Sequence, residues 1–244
     1  MMPLREEDNS GAQTMPPKIT VVIPVLNEEN LLPGTLQSLR AQTFENYELV
    51  VVDNGSADST AQIARHYGCR VVNEERKGVC FARQRGFEQA QGEIIASTDA
   101  DTVVPPDWLE LIVRSFENKP DQVAIYGDVL FRERKGLGQW FAEAFFSYFL
   151  RLNHLLGRPH FCGSNFAVRR EVFHSTGGFK NGDRFYAISE DVQLSLKLKR
   201  MGYVHFHKGL AVHTSSRRFR RGGLHYIWKH TKNYFSVVWL GKKG

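Results

Sequence analysis

The 244-residue chain is 42% apolar, with 21 Gly and 9 Pro, which excludes a collagen-like chain, low-complexity disorder and a disulfide scaffold. At about 150 residues per domain, this length suits one α/β domain with a core that needs no covalent staples. The 32 Lys+Arg and 26 Asp+Glu are unevenly spread: residues 192–244 hold 12 Lys/Arg, 5 His and no carboxylate, so a −6 first part is joined to a +12 end. That asymmetry points to an anionic partner, whether a membrane surface, a phosphate-bearing substrate or nucleic acid; a solvated basic tail is the plain alternative.

Three cysteines (Cys69, Cys80 and Cys162) are odd in number and form no CxxC pair. They read as reduced thiols of a cytoplasmic protein, not as bridges or a zinc site. No run is apolar enough for a membrane span. Residues 1–17 (MMPLREEDNSGAQTMPP) are partly acidic and lack an apolar stretch, so they read as a disordered leader and not a signal peptide.

From Lys18 onward, short β-branched runs alternate with helical periods. Ile19 to Val25 is a predicted buried strand, followed by a helix carrying Leu31, Leu32, Leu36 and Leu39. Glu48 to Val52 is a second strand, Ala57 to Tyr67 a helix, and Cys69 to Val72 a third strand. Val79 to Ala90 reads as a helix, Glu93 to Ser97 as a strand, Trp108 to Phe116 as a helix and Val123 to Phe131 as one strand. Continuous apolar strands alternating with amphipathic helices predict a mostly parallel central sheet covered on both faces. Ligands of such sheets bind at the rim formed by the strands' C-terminal ends. Residues 18–135 thus read as a nucleotide-binding half and 136–221 as an acceptor-handling half. Residues 222–244 read as a basic amphipathic C-terminal segment, rich in aromatics and helical.

Two acidic sites fall on that rim. Asp53 follows Val50-Val51-Val52, and Asp99 and Asp101 follow Ile94 to Thr98. A single Asp after a strand is usually a turn or helix cap. Two carboxylates at i and i+2 repel unless a cation or several donors stand beside them, and hard divalent ions such as Mg²⁺ and Mn²⁺ favour one or two carboxylates plus substrate phosphates.

The ordered set ITVVIPVLNEEN, ELVVVDNGSADST, Gly78 with Ala82-Arg83, GEIIASTDADT and Ser189-Glu190-Asp191 resembles the inverting nucleotide-sugar glycosyltransferases of family 2, with the GT-A fold, over about Lys18 to His213. The resemblance implies that Asp53 reads the donor nucleobase, with Pro24 and Glu28 in the first loop around base and ribose. It implies Lys77 and Arg83 near the diphosphate, Asp99 at ribose or metal, and Asp101 as the principal ligand of Mn²⁺ or Mg²⁺. Asp191 would be the base that takes the proton of the incoming hydroxyl on the face opposite the leaving group. A UDP-sugar is the favoured donor, with GDP- and dTDP-sugars as alternatives. Asn54 departs from the usual acidic pair, and the Gln-x-x-Arg-Trp signature of processive members is missing, so addition of a single sugar is expected.

In the second half, Gly163-Ser164-Asn165 resembles the family's acceptor-side loop, and Glu190 precedes the expected base. His213 matches a position where some relatives supply a third metal ligand; His205 and His207 are weaker candidates. Arg217 and Arg218 open a run of four arginines in five residues suited to a diphosphate or a phosphate-linked acceptor. Trp140, Phe141, Phe145, Phe146, Phe149 and Leu152 fall largely at helical spacing, which core packing ordinarily explains. Combined with the basic-aromatic end of the chain (Tyr226, Trp228, Lys229, Trp239), they also suit an interfacial helix on anionic lipid. A lipid or lipid-linked acceptor and a peripheral position on the inner membrane face follow.

Two readings from other classes compete. A nucleotidyltransferase would want a Gly-rich basic first loop, whereas this one is Pro-Val-Leu-Asn-Glu-Glu. A non-catalytic membrane or nucleic-acid binder would use the basic end, but no RNP, zinc-finger or helix-turn-helix pattern accompanies it, so nucleic acid is not expected as a partner.

Overall fold

A computed structural model describes residues 16–132, 137–179 and 190–217. The leader before residue 16, Ser189, Arg218 and the segment 222–244 lie outside the described residues. The first unit is β1 (Ile19–Val25), α1 (Leu32–Arg40), β2 (Tyr47–Asp53), α2 (Thr60–His66), β3 (Arg70–Asn73) and α3 (Val79–Gln89). Then come β4 (Ile94–Ser97), β5 (Thr102–Val103), α4 (Trp108–Asn118), β6 (Gln122–Tyr126), β7 (Val129–Phe131) and α5 (Leu137–Leu155). The remainder is β8 (Phe166–Arg169), α6 (Arg170–Ser175), α7 (Glu190–Lys199), β9 (Tyr203–Phe206) and β10 (Val212–Thr214).

Every residue of β1 is buried, as a central strand covered on both faces requires. The two-residue alternation divides its side chains. Ile19, Val21 and Ile23 join Leu49, Val51, Ile94 and Ala96 in a core with α1 and α4, while Val22 joins Val50, Val52 and Ile95 in a second core with α3 and α7. Helix α4 buries Trp108, Leu109, Ile112, Val113 and Phe116, the i, i+4, i+5, i+8 pattern of an amphipathic face. Pro33 sits in the first turn of α1, where no N–H is needed.

The main sheet runs β3-β2-β1-β4-β8-β6-β9, and a small second sheet runs β5-β10-β7. Strands β1, β2, β3 and β4 are parallel, as are β6 and β9; β8 is antiparallel to both neighbours. The order turns at β1 and β4, so their C-terminal loops open a crevice, the ligand position of open α/β sheets. Because β8 runs backwards, its preceding loop reaches the same rim: Ser97 at the end of β4 pairs with Phe166 at the start of β8. The sheet therefore passes through both sequence halves.

One reading of secondary structure is corrected. Val123 to Phe131 is not one strand: β6 belongs to the large sheet and β7 to the small one. The chain breaks at Gly127, where a Cβ would run into the Leu210 carbonyl. His205 lies in β9, His207 just past its end, and His213 within β10.

Candidate active site

The first rim loop leaves β1 through Pro24 and Val25. Asn27 turns it with φ 54°, the one positive φ at a non-glycine among the described residues, a conformation Asn tolerates. Glu28 follows, its N–H bonded to Thr60 Oγ1 at 2.9 Å. Its Oε1 accepts Arg217 Nη2 at 2.6 Å, and its Oε2 is buried without a hydrogen-bond partner.

At the end of β2, Asp53 is buried and accepts the Ser56 N–H at 2.9 Å, which fixes the turn. Asn54 is also buried. Its amide donates to the carbonyls of Glu74 and Arg76 and accepts the Gly78 N–H, all between 2.7 and 2.8 Å. A carboxylate could not make the two donations. The departure from an acidic pair thus builds the loop that starts α3. Lys77 closes the same loop, donating to the carbonyls of Asn54 and Gly55.

Asp99 and Asp101 leave β4 as expected. Asp101 is 6% exposed, accepts Thr214 Oγ1 at 3.1 Å and lies 3.9 Å from Arg217 Nη2. A cleft of about 210 Å³ is lined by Pro24, Glu28, Asn54, Gly78, Asp99 and Asp101 among others. It is smaller than the roughly 300–1,000 Å³ of pockets that bury a whole ligand. A larger open groove near Arg40, Tyr47 and Arg70 lies at the opposite ends of the strands, away from these carboxylates.

Arg83, placed by the resemblance near the diphosphate, faces inward: it is 3% exposed and bonded to Asp99 at 3.0 Å and to Glu190 at 2.7 Å. Glu190 opens α7, and Asp191 follows. Asp191 Oδ2 accepts the Gly163 N–H at 3.0 Å, and Oδ1 accepts the Val192 N–H at 2.8 Å. Burial and the neighbouring charge of Glu190 push its carboxyl up to about 7, against the pull of Arg83 and these two N–H groups. Burial likewise raises Glu190, opposed by Arg83. Gly163 in turn accepts Ser97 Oγ at 2.6 Å, so β4 and the loop before β8 are tied together beside Asp191.

Some candidates stand elsewhere. Asn165 is fully buried: its Oδ1 accepts the Trp108 indole N–H at 3.0 Å, and its Nδ2 donates to the carbonyls of Asp128 and Leu210. It is committed to the fold, with no group left for an acceptor, and Ser164 beside it is buried too. On β10, Val212 enters the core and Thr214 meets Asp101. Alternation turns the exposed His213 to the other side of the strand. Among the described residues, no group of three or more His, Cys, Asp or Glu gathers to hold a metal. His205 is pushed down to about 4 by burial and the nearby Lys119. Burial pushes the Cys80 thiol up to about 11 and the Cys162 thiol well above its usual value, which keeps both protonated near neutral pH.

The donor set nonetheless fits a hard cation. The Arg217 guanidinium lies between Glu28 and Asp101, so both carboxylates face one positively charged position, and Glu28 Oε2 there lacks a partner. Two carboxylates completed by substrate phosphates are the usual protein share of a Mg²⁺ or Mn²⁺ site. Sequence reasoning missed Thr214 and the structural use of Asn54 and Asn165. Only the register of β10 could have pointed to Thr214.

An α/β sheet with acidic loops at its turning point is the architecture of GT-A glycosyltransferases. Residues 20–177 match the family model described as Glycosyl transferase family 2, and the chain belongs to that family. It is 29% identical over 175 residues to the glucosyl-dolichyl phosphate glucuronosyltransferase of Haloferax volcanii, covering 66% of this chain and 56% of that one. The chain thus spans about half the length of this curated relative. The fold is shared with the mannosyltransferase PcManGT of Pyrobaculum calidifontis in complex with GDP-Man and Mn²⁺ (TM-score 0.67, 23% identity, 95% of this chain and 66% of that one). It is shared also with glucosyl-3-phosphoglycerate synthase of Mycobacterium tuberculosis in complex with Mn²⁺, UDP and glucosyl-3-phosphoglycerate (TM-score 0.65, 22% identity, 90% and 79%).

Proposed function

We propose that the protein moves one sugar, with inversion, from a nucleotide-diphosphate donor to a hydroxyl or phosphate acceptor. The observation that carries this reading is the placement of Asp99, Asp101 and Asp191 at one rim: Asp99 is tied by Arg83 to Glu190, the neighbour of Asp191, and Asp191 is held by Gly163 of the loop bonded to Ser97 at the end of β4. The donor's nucleoside enters the cleft between Pro24, Glu28 and Asp99, with Asp53 one position before the lining residue Asn54. A divalent cation, Mn²⁺ or Mg²⁺, held by Asp101 with Asp99 and Glu28 near it, would neutralise the charge that grows on the departing diphosphate. Arg217 reaches the same region and suits a phosphate through a bidentate pair.

Asp191 supplies the other half of the chemistry. Raised to about 7, its carboxyl suits a general base, whose pKa near working pH balances the ionised fraction against the driving force for proton removal. The Gly163 and Val192 N–H groups hold both its oxygens, so the carboxylate is oriented before substrate arrives. Incubation with UDP-, GDP- and dTDP-sugars, Mn²⁺ and a polyprenyl phosphate, with product configuration read by NMR, tests the assignment. The expected product carries one sugar at inverted configuration; retention, or a polymer, would overturn it.

A lipid-linked acceptor is favoured by the outer face of α5. Trp140, Phe141, Phe145 and Tyr148 are each 55–65% exposed, and Leu155 is 81% exposed. The same helix anchors itself inward through Leu150, Asn153 and Glu143, whose Oε1 accepts the Phe131 N–H at 2.8 Å. No helix among the described residues is long and apolar enough to cross a membrane. An aromatic stripe of this kind suits the interface plane, at the headgroup level, and supports a peripheral position on the inner face of a membrane. UDP-sugar is the donor we favour, with GDP- and dTDP-sugars as the other candidates.

A further inference from the structure

Arg83 occupies a position that its family resemblance did not suggest. Its guanidinium is enclosed by the protein. Nη2 reaches Asp99 on the loop leaving β4, and Nη1 reaches Glu190 at the start of α7, at 3.0 and 2.7 Å. One planar fork therefore spans from the donor-side loop to the helix that carries Asp191. Its Nε is buried without a hydrogen-bond partner, so the two carboxylates set the fork's orientation at the cost of a third donor. Room for the fork depends on Gly163, where a Cβ would run into the guanidinium. The N–H of that same glycine holds Asp191 Oδ2.

We infer that Arg83 is a positioning residue which, paired with Glu190, links the donor loop to Asp191 and sets the charge around that carboxylate. The inference rests on reading Asp191 as the base. Four groups bear on Asp191 from the elements around it: Glu190 on its own helix, Arg83 and Cys80 from α3, and Cys162 from the loop before β8; Asp99 bears on Glu190 across the fork. The thiols are neutral at physiological pH, because burial raises both. Glu190 opposes a second negative charge beside it, and Arg83 favours one. The two therefore act in opposite directions on the Asp191 carboxylate.

A ¹³C NMR titration of the Asp191 carboxyl, assigned through D191N, reads this without any substrate. E190Q keeps an amide oxygen for the fork and removes the charge; it should lower the midpoint by about one pH unit, a tenfold change in the ionisation constant. R83M should raise it by a similar amount. A midpoint that E190Q leaves in place or moves upward overturns the inference, and E190Q alone decides should R83M fail to fold. Failure of the glycosyl-transfer reading shows separately, as a wild-type protein that no UDP or GDP stabilises in the presence of Mn²⁺.

Discussion

Asp191 illustrates how much a single side chain's surroundings decide. Raised from 3.8 to about 7 by burial and by Glu190, it is worse off ionised in the fold than in the unfolded chain. The folded state therefore binds the extra proton between about pH 4 and 7, and this residue's contribution to stability falls as pH rises across that window. Activity should move the other way, because the base must be ionised. D191N should lose a factor of about 10²–10⁴ in turnover. It should also melt higher than the parent at pH 8, with the difference gone near pH 4. Calorimetric scans across pH check the second statement; equal melting curves at pH 8 would contradict it. The acidic pair Asp99 and Asp101 was legible because carboxylates after a buried strand have few structural uses in that spacing. Arg83 was not legible as a buried group, since arginines are mostly exposed unless paired and its partners lie 16 and 107 positions away.

At the scale of elements, periodicity located the strands and helices of the first half because buried parallel strands are continuously apolar and their helices amphipathic. It failed at Val123 to Phe131, where an apolar run hides a change of sheet. The break depends on Gly127 meeting Leu210, a contact 83 positions apart. It also gave no sign that β8 enters the sheet backwards, since a four-residue run carries no direction. Asn165, expected to greet an acceptor, instead ties together α4, the loop after β6 and the approach to β10. Asn165→Ala would leave the Trp108 indole N–H and the Leu210 carbonyl buried without these partners. The expected loss is about 3 kcal/mol, a Tm lower by roughly 6–12 °C for a chain of this length. Thermal unfolding followed by circular dichroism measures it, and an unchanged Tm would show that the tie carries no load.

For the whole molecule, charge and exposed aromatics act together. The positive excess after residue 191 and the outward stripe of α5 both suit an anionic surface. Vesicles containing anionic phospholipid should pull the protein down at low salt. Release is expected as ionic strength shortens the Debye length from about 10 Å at 0.1 M to about 3 Å at 1 M. Replacing Phe141 and Phe145 with Ser should weaken that binding without lowering Tm, because both side chains are exposed. Beneath this lies the claim that one rim binds a nucleoside diphosphate through a cation held at Asp101. A thermal-shift series of UDP, GDP and dTDP, with and without Mn²⁺, measures that directly, since a ligand at 100 times its Kd stabilises a fold by about 2.7 kcal/mol. At least one nucleotide should raise Tm only when Mn²⁺ is present, and D101N should abolish the rise. No shift with any of the three, or an undiminished shift in D101N, would contradict it.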